Sequence, residues 1–214
     1  SQLRYKSDSY AGSETAGTAE IEVERIGSGL GIARVNYATG TAGSAASNDF
    51  SATSGSLMWA DGDLTPKSFS VTLTNDERKE SDETISLSLS AASNSGLGQT
   101  TLGSPAAALL SVADNDTASV VVSVSGGDAQ VNEGGVTDST TLRLSSEPAF
   151  DVVISLQTGN QITVSPASVT FTALNWSTPQ TVTIRAVDDV DVEGDHADRV
   201  THAVSSADMN YSGI

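Results

Sequence analysis

The sequence predicts an all-β protein built as two antiparallel, immunoglobulin-like β-sandwiches in tandem. Three observations predict it. Apolar residues alternate with Ser, Thr or charge in segment after segment, which is the period of a strand with one face buried. Clusters of Gly, Ser, Ala and Asn interrupt those segments at short intervals, and no stretch carries a convincing period of 3.6. The whole pattern then recurs: Pro66 and Pro179 stand 113 apart (179 minus 66), each just before an alternating strand and an acidic loop.

From the N-terminus, the first alternation is Ala19, Ile21, Val23, and the turn "GSGLG" at 27–31 follows it. No helix pattern follows these glycines, so they form a hairpin turn and not a phosphate loop. After the turn-forming "ATGTAGSAASND" at 38–49 come Phe69, Val71, Leu73, then Ile85, Leu87, Leu89, then Ala108, Leu110, Val112. The second copy reads Val120, Val122, Val124, the turn "SGGD", Val152, Ile154, Leu156, and finally Val182, Ile184, Ala186.

The offset of 113 also lays Phe69 on Val182, Val71 on Ile184, Asp76 on Asp189, Glu80 on Glu193 and Asp82 on Asp195. Upstream, Glu14 matches Glu133 at an offset of 119, because loops between strands tolerate changes in length. The expected modules are residues 1–116 and 117–214. Between them "ADNDTASVV" has no flexible Gly/Ser linker, so the modules are expected end to end with limited freedom.

The stretch "TNDERKESDE" at 74–83 holds five carboxylates in ten positions, Asp76, Glu77, Glu80, Asp82 and Glu83. Two charges about 5 Å apart repel by roughly 0.8 kcal/mol even in water, so such a loop calls for an offset. A solvated acidic loop is the plain alternative. Against it stand the repeated spacing and a further group, Asp114 to Asp116, after the last strand of the first module. Sandwich loops gather at strand ends, where they supply the hard oxygen ligands that Ca²⁺ requires. "DDVDVEGDHADRV" at 188–200 imitates an EF-hand, but Val200 occupies the place of the bidentate acid and no helices flank it.

"SETAGTAEIEVER", "ATGTAGSAASNDFSATSGSLMWADGDLTPKSFSVTLTNDERKESDETISLSLS" and "ALLSVADND" together resemble a Calx-β module across residues 1–116. Residues 117–214, with "VNEGG" and "VDDVDVEGDH", resemble the divergent Calx-β-like repeats of large bacterial surface proteins. The resemblance implies seven-stranded sandwiches that bind Ca²⁺ at one end. It implies side-chain ligands Glu14, Asp49, Asp76, Glu80, Asp114 and Asp116 in the first module. Asn75 and Asn115 stand where strong binders of the family have Asp, which implies fewer ions or weaker binding, of extracellular grade at about 10⁻⁴ to 10⁻³ M. In the second module it implies Glu133, Asp188, Asp189 and Glu193. Only 19 residues follow Asp195 (214 minus 195), against 32 between Asp82 and Asp114 (114 minus 82), so that module is expected to lack its last strand and closing acids.

Partners follow from charge. With 10 Lys+Arg against 27 Asp+Glu the net charge is −17, which disfavours nucleic acid and anionic membrane and favours cations. No run of about 18 apolar residues predicts membrane insertion. There is no cysteine, and the two histidines, His196 and His202, have no nucleophile or base partner, so no enzyme is expected. The expected role is a calcium-binding segment of a larger secreted or cell-surface protein, contacting calcium ions and neighbouring modules of its own chain. Three alternatives stay open: a carbohydrate-binding or adhesive module with structural calcium, a metal-free spacer, and a calcium-sensing regulatory segment of a transporter. Trp59 and Trp176 are expected in the core or at a strand edge rather than as sugar platforms.

Overall fold

A computed structural model describes residues 1–96, 98–191 and 194–214. Apart from one 3-10 turn at Glu14–Ala16, every regular element among them is a strand. No helix among them is long and apolar enough to cross a membrane. The chain divides into two compact units, residues 1–76 with 80–115, and residues 77–79 with 116–214.

The first unit holds β1 (Gln2–Tyr5), β2 (Ser9–Ser13), β3 (Thr18–Ile26), β4 (Ile32–Gly40), β5 (Ser54–Trp59), β6 (Lys67–Thr72), β7 (Glu83–Ser95), β8 (Thr101–Leu102) and β9 (Ala107–Ala113). These nine strands exceed the expected seven because the edge segment is split into β1 and β2, which join different sheets, and because β8 is a two-residue addition. One sheet has the order β6-β3-β1-β8, the other β2-β9-β7-β4-β5. The alternating residues face inward as expected: Ile21, Val71, Ile85, Leu87 and Leu110 are all at most 2% exposed. Trp59 is fully buried and donates its indole N–H to the Thr65 carbonyl at 2.7 Å.

At the end of this unit where β3 finishes, the buried Arg25 donates to the carbonyls of Leu30 (2.8 Å), Gly31 (3.0 Å), Ala60 (3.2 Å) and Asp63 (3.3 Å). One planar guanidinium thereby pins two turns, because its donors fork in fixed directions.

The second unit holds β10 (Val120–Val124), β11 (Asp138–Leu144), β12 (Val152–Thr158), β13 (Ile162–Ser165), β14 (Ser168–Phe171), β15 (Gln180–Ala186) and β16 (Val200–Ser206). Its sheets have the orders β10-β11-β15-β13 and β14-β12-β16. The repeat read from sequence is physical: β6 pairs with β3, and its counterpart β15 pairs with β11. A turn beyond β16 closes this core, where buried Tyr211 donates to the Ser146 carbonyl at 2.7 Å. Residues 77–79 belong here: Glu147 N donates to the Glu77 carbonyl (2.6 Å), Arg78 Nη2 pairs with Glu147 Oε1 (2.7 Å), and Asn210 Nδ2 donates to the Lys79 carbonyl (2.9 Å).

Candidate metal centre

Strand pairing determines which acids meet. β2 runs parallel to β9 with Ser13 opposite Ala113, so the two strands end side by side and Glu14 leaves next to Asp114. β7 runs antiparallel to β9 with Glu83 opposite Val112, which sets the start of β7 at the same end. β4 reaches it from the other flank, with Gly40 opposite Ser86.

The loop leaving β4 is stitched onto β7 by Ala45 N to the Thr84 carbonyl (3.0 Å) and Ser44 N to Thr84 Oγ1 (3.2 Å). Gly43 permits that approach, since a Cβ there would lie 1.9 Å from the Thr84 carbonyl oxygen. The loop ends at Asp49, whose carbonyl accepts Thr74 N at 2.8 Å beside the Phe50 to Leu73 bridge. Asp49 therefore sits at the exit of β6, where the acidic loop begins. On the far side of that loop Glu80 N donates to Asp114 Oδ1 (3.0 Å), and Asp114 N donates to Asp82 Oδ1 (3.3 Å).

Two groups of acids result, Glu14 with Asp114 and Asp116, and Asp49 with Glu80 and Glu83. Within each group one carboxylate oxygen per residue lies within 4.8 Å of the others. Two oxygens on one Ca²⁺, each about 2.4 Å from it, are at most about 4.8 Å apart, so the spacing within each trio meets that necessary limit for sharing an ion. Glu14 and Asp49 are nearly buried, at 6% and 7% exposure. Glu83 is pushed up to about 7 by burial first, then by its hydrogen bond with Asp49 and by the charges of Asp49, Glu80 and Glu14. A cation supplies the offset such crowding needs.

Of the residues expected as ligands, the structure brings Glu14, Asp49, Glu80, Asp114 and Asp116 into these trios. Asn75 and Asn115 are joined to each other, Asn115 Nδ2 donating to Asn75 Oδ1 at 3.0 Å. Asp76 is half-buried in the same loop and belongs to neither trio. In the second unit Glu133, Asp188 and Asp189 are exposed and form no such trio among the described residues, although Asp188 lies 3.5 Å from where a Cβ on Gly134 would stand. Glu193 lies outside the described residues. Glu83, one of the five carboxylates of 74–83 and not among the expected ligands, joins Asp49 and Glu80; its phase with Ile85 and Leu87 is the signal that points it inward.

The family model "Calx-beta domain" matches residues 2–116, a little over half of the chain. Comparison with curated proteins finds no match. Among solved structures, the chain is similar to CBD12 from CALX1.2 at 21% identity and TM-score 0.50, covering 90% of this chain and 77% of that one. It is also similar to the calcium binding domain CBD12 of CALX1.1, at 18% identity and TM-score 0.50, covering 95% and 75%. The apo-form Calx CBD1 domain matches at 25% identity and TM-score 0.49, covering 54% and 97%.

Proposed function

The chain belongs to the Calx-beta domain family, and on that premise we propose that its first unit is a calcium-binding β-sandwich module of a larger secreted or cell-surface protein. The observation that carries the proposal is the pair of carboxylate trios, all oxygen and each with its ligand atoms within 4.8 Å of one another. Ca²⁺ accepts six to eight such oxygens in flexible geometry, whereas Mg²⁺ keeps much of its water. Glu14, Asp114 and Asp116 hold one ion; Asp49, Glu80 and Glu83 hold another.

Bound calcium stabilises the module by tying the ends of β2, β6, β7 and β9 together. The role proposed for these acids is ion binding. Trp59 is buried and unavailable to a sugar, and Trp176 is partly buried against the second core.

A thermal melt and titration calorimetry in EDTA, then in about 5 mM CaCl₂ with MgCl₂ as control, test the site at extracellular-grade affinity. A calcium-specific rise in Tm, lost in Glu80→Ala, is the expected result. Equal responses to both cations, or heat of binding undiminished in Glu80→Ala, would remove the assignment.

A further inference from the structure

Charge is divided unevenly between the two outer faces of the first unit. The sheet β6-β3-β1-β8 turns Glu20, Glu22, Glu24 and Arg4 outward. The five strands of the other sheet, β2-β9-β7-β4-β5, hold only two charged residues, Arg34 and Glu83, in a chain with 27 Asp+Glu. Glu83 is in phase with the buried Ile85 and Leu87, so Arg34 is the one charge these strands turn outward. The remaining outward side chains are mostly small, and strand pairing lays them in rows. Ala107, Ser88, Ala38 and Ser54 stand side by side across β9, β7, β4 and β5. Ser90, Asn36 and Ser56 form the next row.

Two chains of net charge −17 repel each other, and the repulsion is least where both approaching surfaces are neutral. Hydroxyls on this face can also leave water at low cost, because they keep backbone partners. Ser86 Oγ accepts Ala42 N at 3.2 Å, and Ser88 Oγ donates to the Ala38 carbonyl at 3.4 Å. Leu109 on β9 and Met58 on β5, 47% and 46% exposed, add apolar surface on either side of β7. Five strands about 4.8 Å apart, each about seven residues long at about 3.4 Å per residue, span about 24 Å by 24 Å. Two such faces in contact cover roughly 600 Å² per copy and roughly 1,200 Å² in all, the low end of the range for specific interfaces.

We propose that the outer face of β2-β9-β7-β4-β5 is a self-docking surface, on which a second copy of this chain seats the same face, sheet against sheet. β7 is the third of the five strands, so a two-fold axis over it lays the face upon itself, the geometry of an isologous contact. That axis brings the two Ser88 residues close together, with aligned sheets about 10 Å apart. Arg34, opposite Met58 near the start of β4, lies at the rim, where a charge keeps its water. The contact is weak and reversible, and salt strengthens it by screening the repulsion between the two chains.

The test is sedimentation equilibrium of the whole 214-residue chain, in EDTA so that the outcome is independent of the calcium sites, up to millimolar protein and from low salt to molar salt. A monomer–dimer equilibrium that tightens with salt is the expected result. Ser88→Glu, at an exposed position, sets two like charges against each other and lowers the association constant by about tenfold or more at an unchanged melting temperature. Because the chain has no cysteine, Ser88→Cys gives a second reading that needs no added charge: a short bis-maleimide captures the dimer through that residue alone. Thr101→Cys, exposed on β8 of the other sheet, is the control that stays uncaptured. Three results would each overturn the proposal: a chain that stays monomeric at millimolar concentration in molar salt, association undiminished in Ser88→Glu, or Thr101→Cys captured as well as Ser88→Cys.

Discussion

Glu83 begins β7, and the same period of two that turns Ile85, Leu87 and Leu89 into the core turns its carboxylate toward Asp49 and Glu80. Burial, the hydrogen bond with Asp49 and the charges of Asp49, Glu80 and Glu14 raise the pKa of Glu83 in the metal-free fold from 4.5 to about 7, so its neutral form is favoured below that pH. The folded state therefore holds a proton that the unfolded state has released between those values. Stability from this group is present at low pH and is lost as pH rises from 4.5 through about 7. Asp63, whose hydrogen bonds with Thr65 lower it to about 2, titrates outside that window and with opposite sign. In EDTA the first unit is expected to melt higher at pH 5.5 than at pH 8, and Glu83→Gln to erase the difference. Calcium requires the carboxylate, so apparent affinity rises with pH over the same range; an affinity independent of pH, measured by calorimetry, would take Glu83 out of the site.

Among the elements, the strands were legible because a half-buried strand writes a period of two into its own residues. The pairing that builds the site was not. Glu14 and Asp114 meet because β2 pairs in parallel with β9, joining Ser13 to Ala113 across 100 residues (113 minus 13), and no local pattern encodes that partnership. The loop after β4 was legible only as turn-forming, whereas its placement depends on one close approach at Gly43. Gly43→Ala puts a methyl group into the Thr84 carbonyl, so the loop must lift from β7 and carry Asp49 away from Glu83. The expected cost is about 1–3 kcal/mol of first-unit stability, in the range of substitutions that force backbone to move, together with a clear loss of calcium affinity. Gly194→Ala, where an added Cβ meets nothing, is the control and should change neither. A Gly43→Ala protein with unaltered calcium heats would show that the loop does not position Asp49.

At the scale of the molecule, each unit has its own core, one around Ile21, Val71 and Leu110, the other around Leu142, Ile154 and Tyr211. Sequence charge predicts a cation partner for the whole chain, but −17 is spread over both units and does not say where an ion binds. Site binding and general screening of acids predict different calorimetric traces. An ion held by Asp49, Glu80 and Glu83 binds only the folded first unit, and at about ten times Kd it stabilises that unit by roughly 1.4 kcal/mol. For a unit of about a hundred residues this raises its melting temperature by about 6–11 °C. The transition of the second unit, whose Glu133, Asp188 and Asp189 form no trio among the described residues, should stay in place. Screening by a divalent cation would instead lift both transitions together and equally with MgCl₂, because it depends on ionic strength and not on coordination. Differential scanning calorimetry with Glu80→Gln decides between them. If the variant loses the calcium shift of one transition while the other never moved, the acids act as ligands; if both transitions still rise, the first unit is an acidic sandwich that calcium only screens.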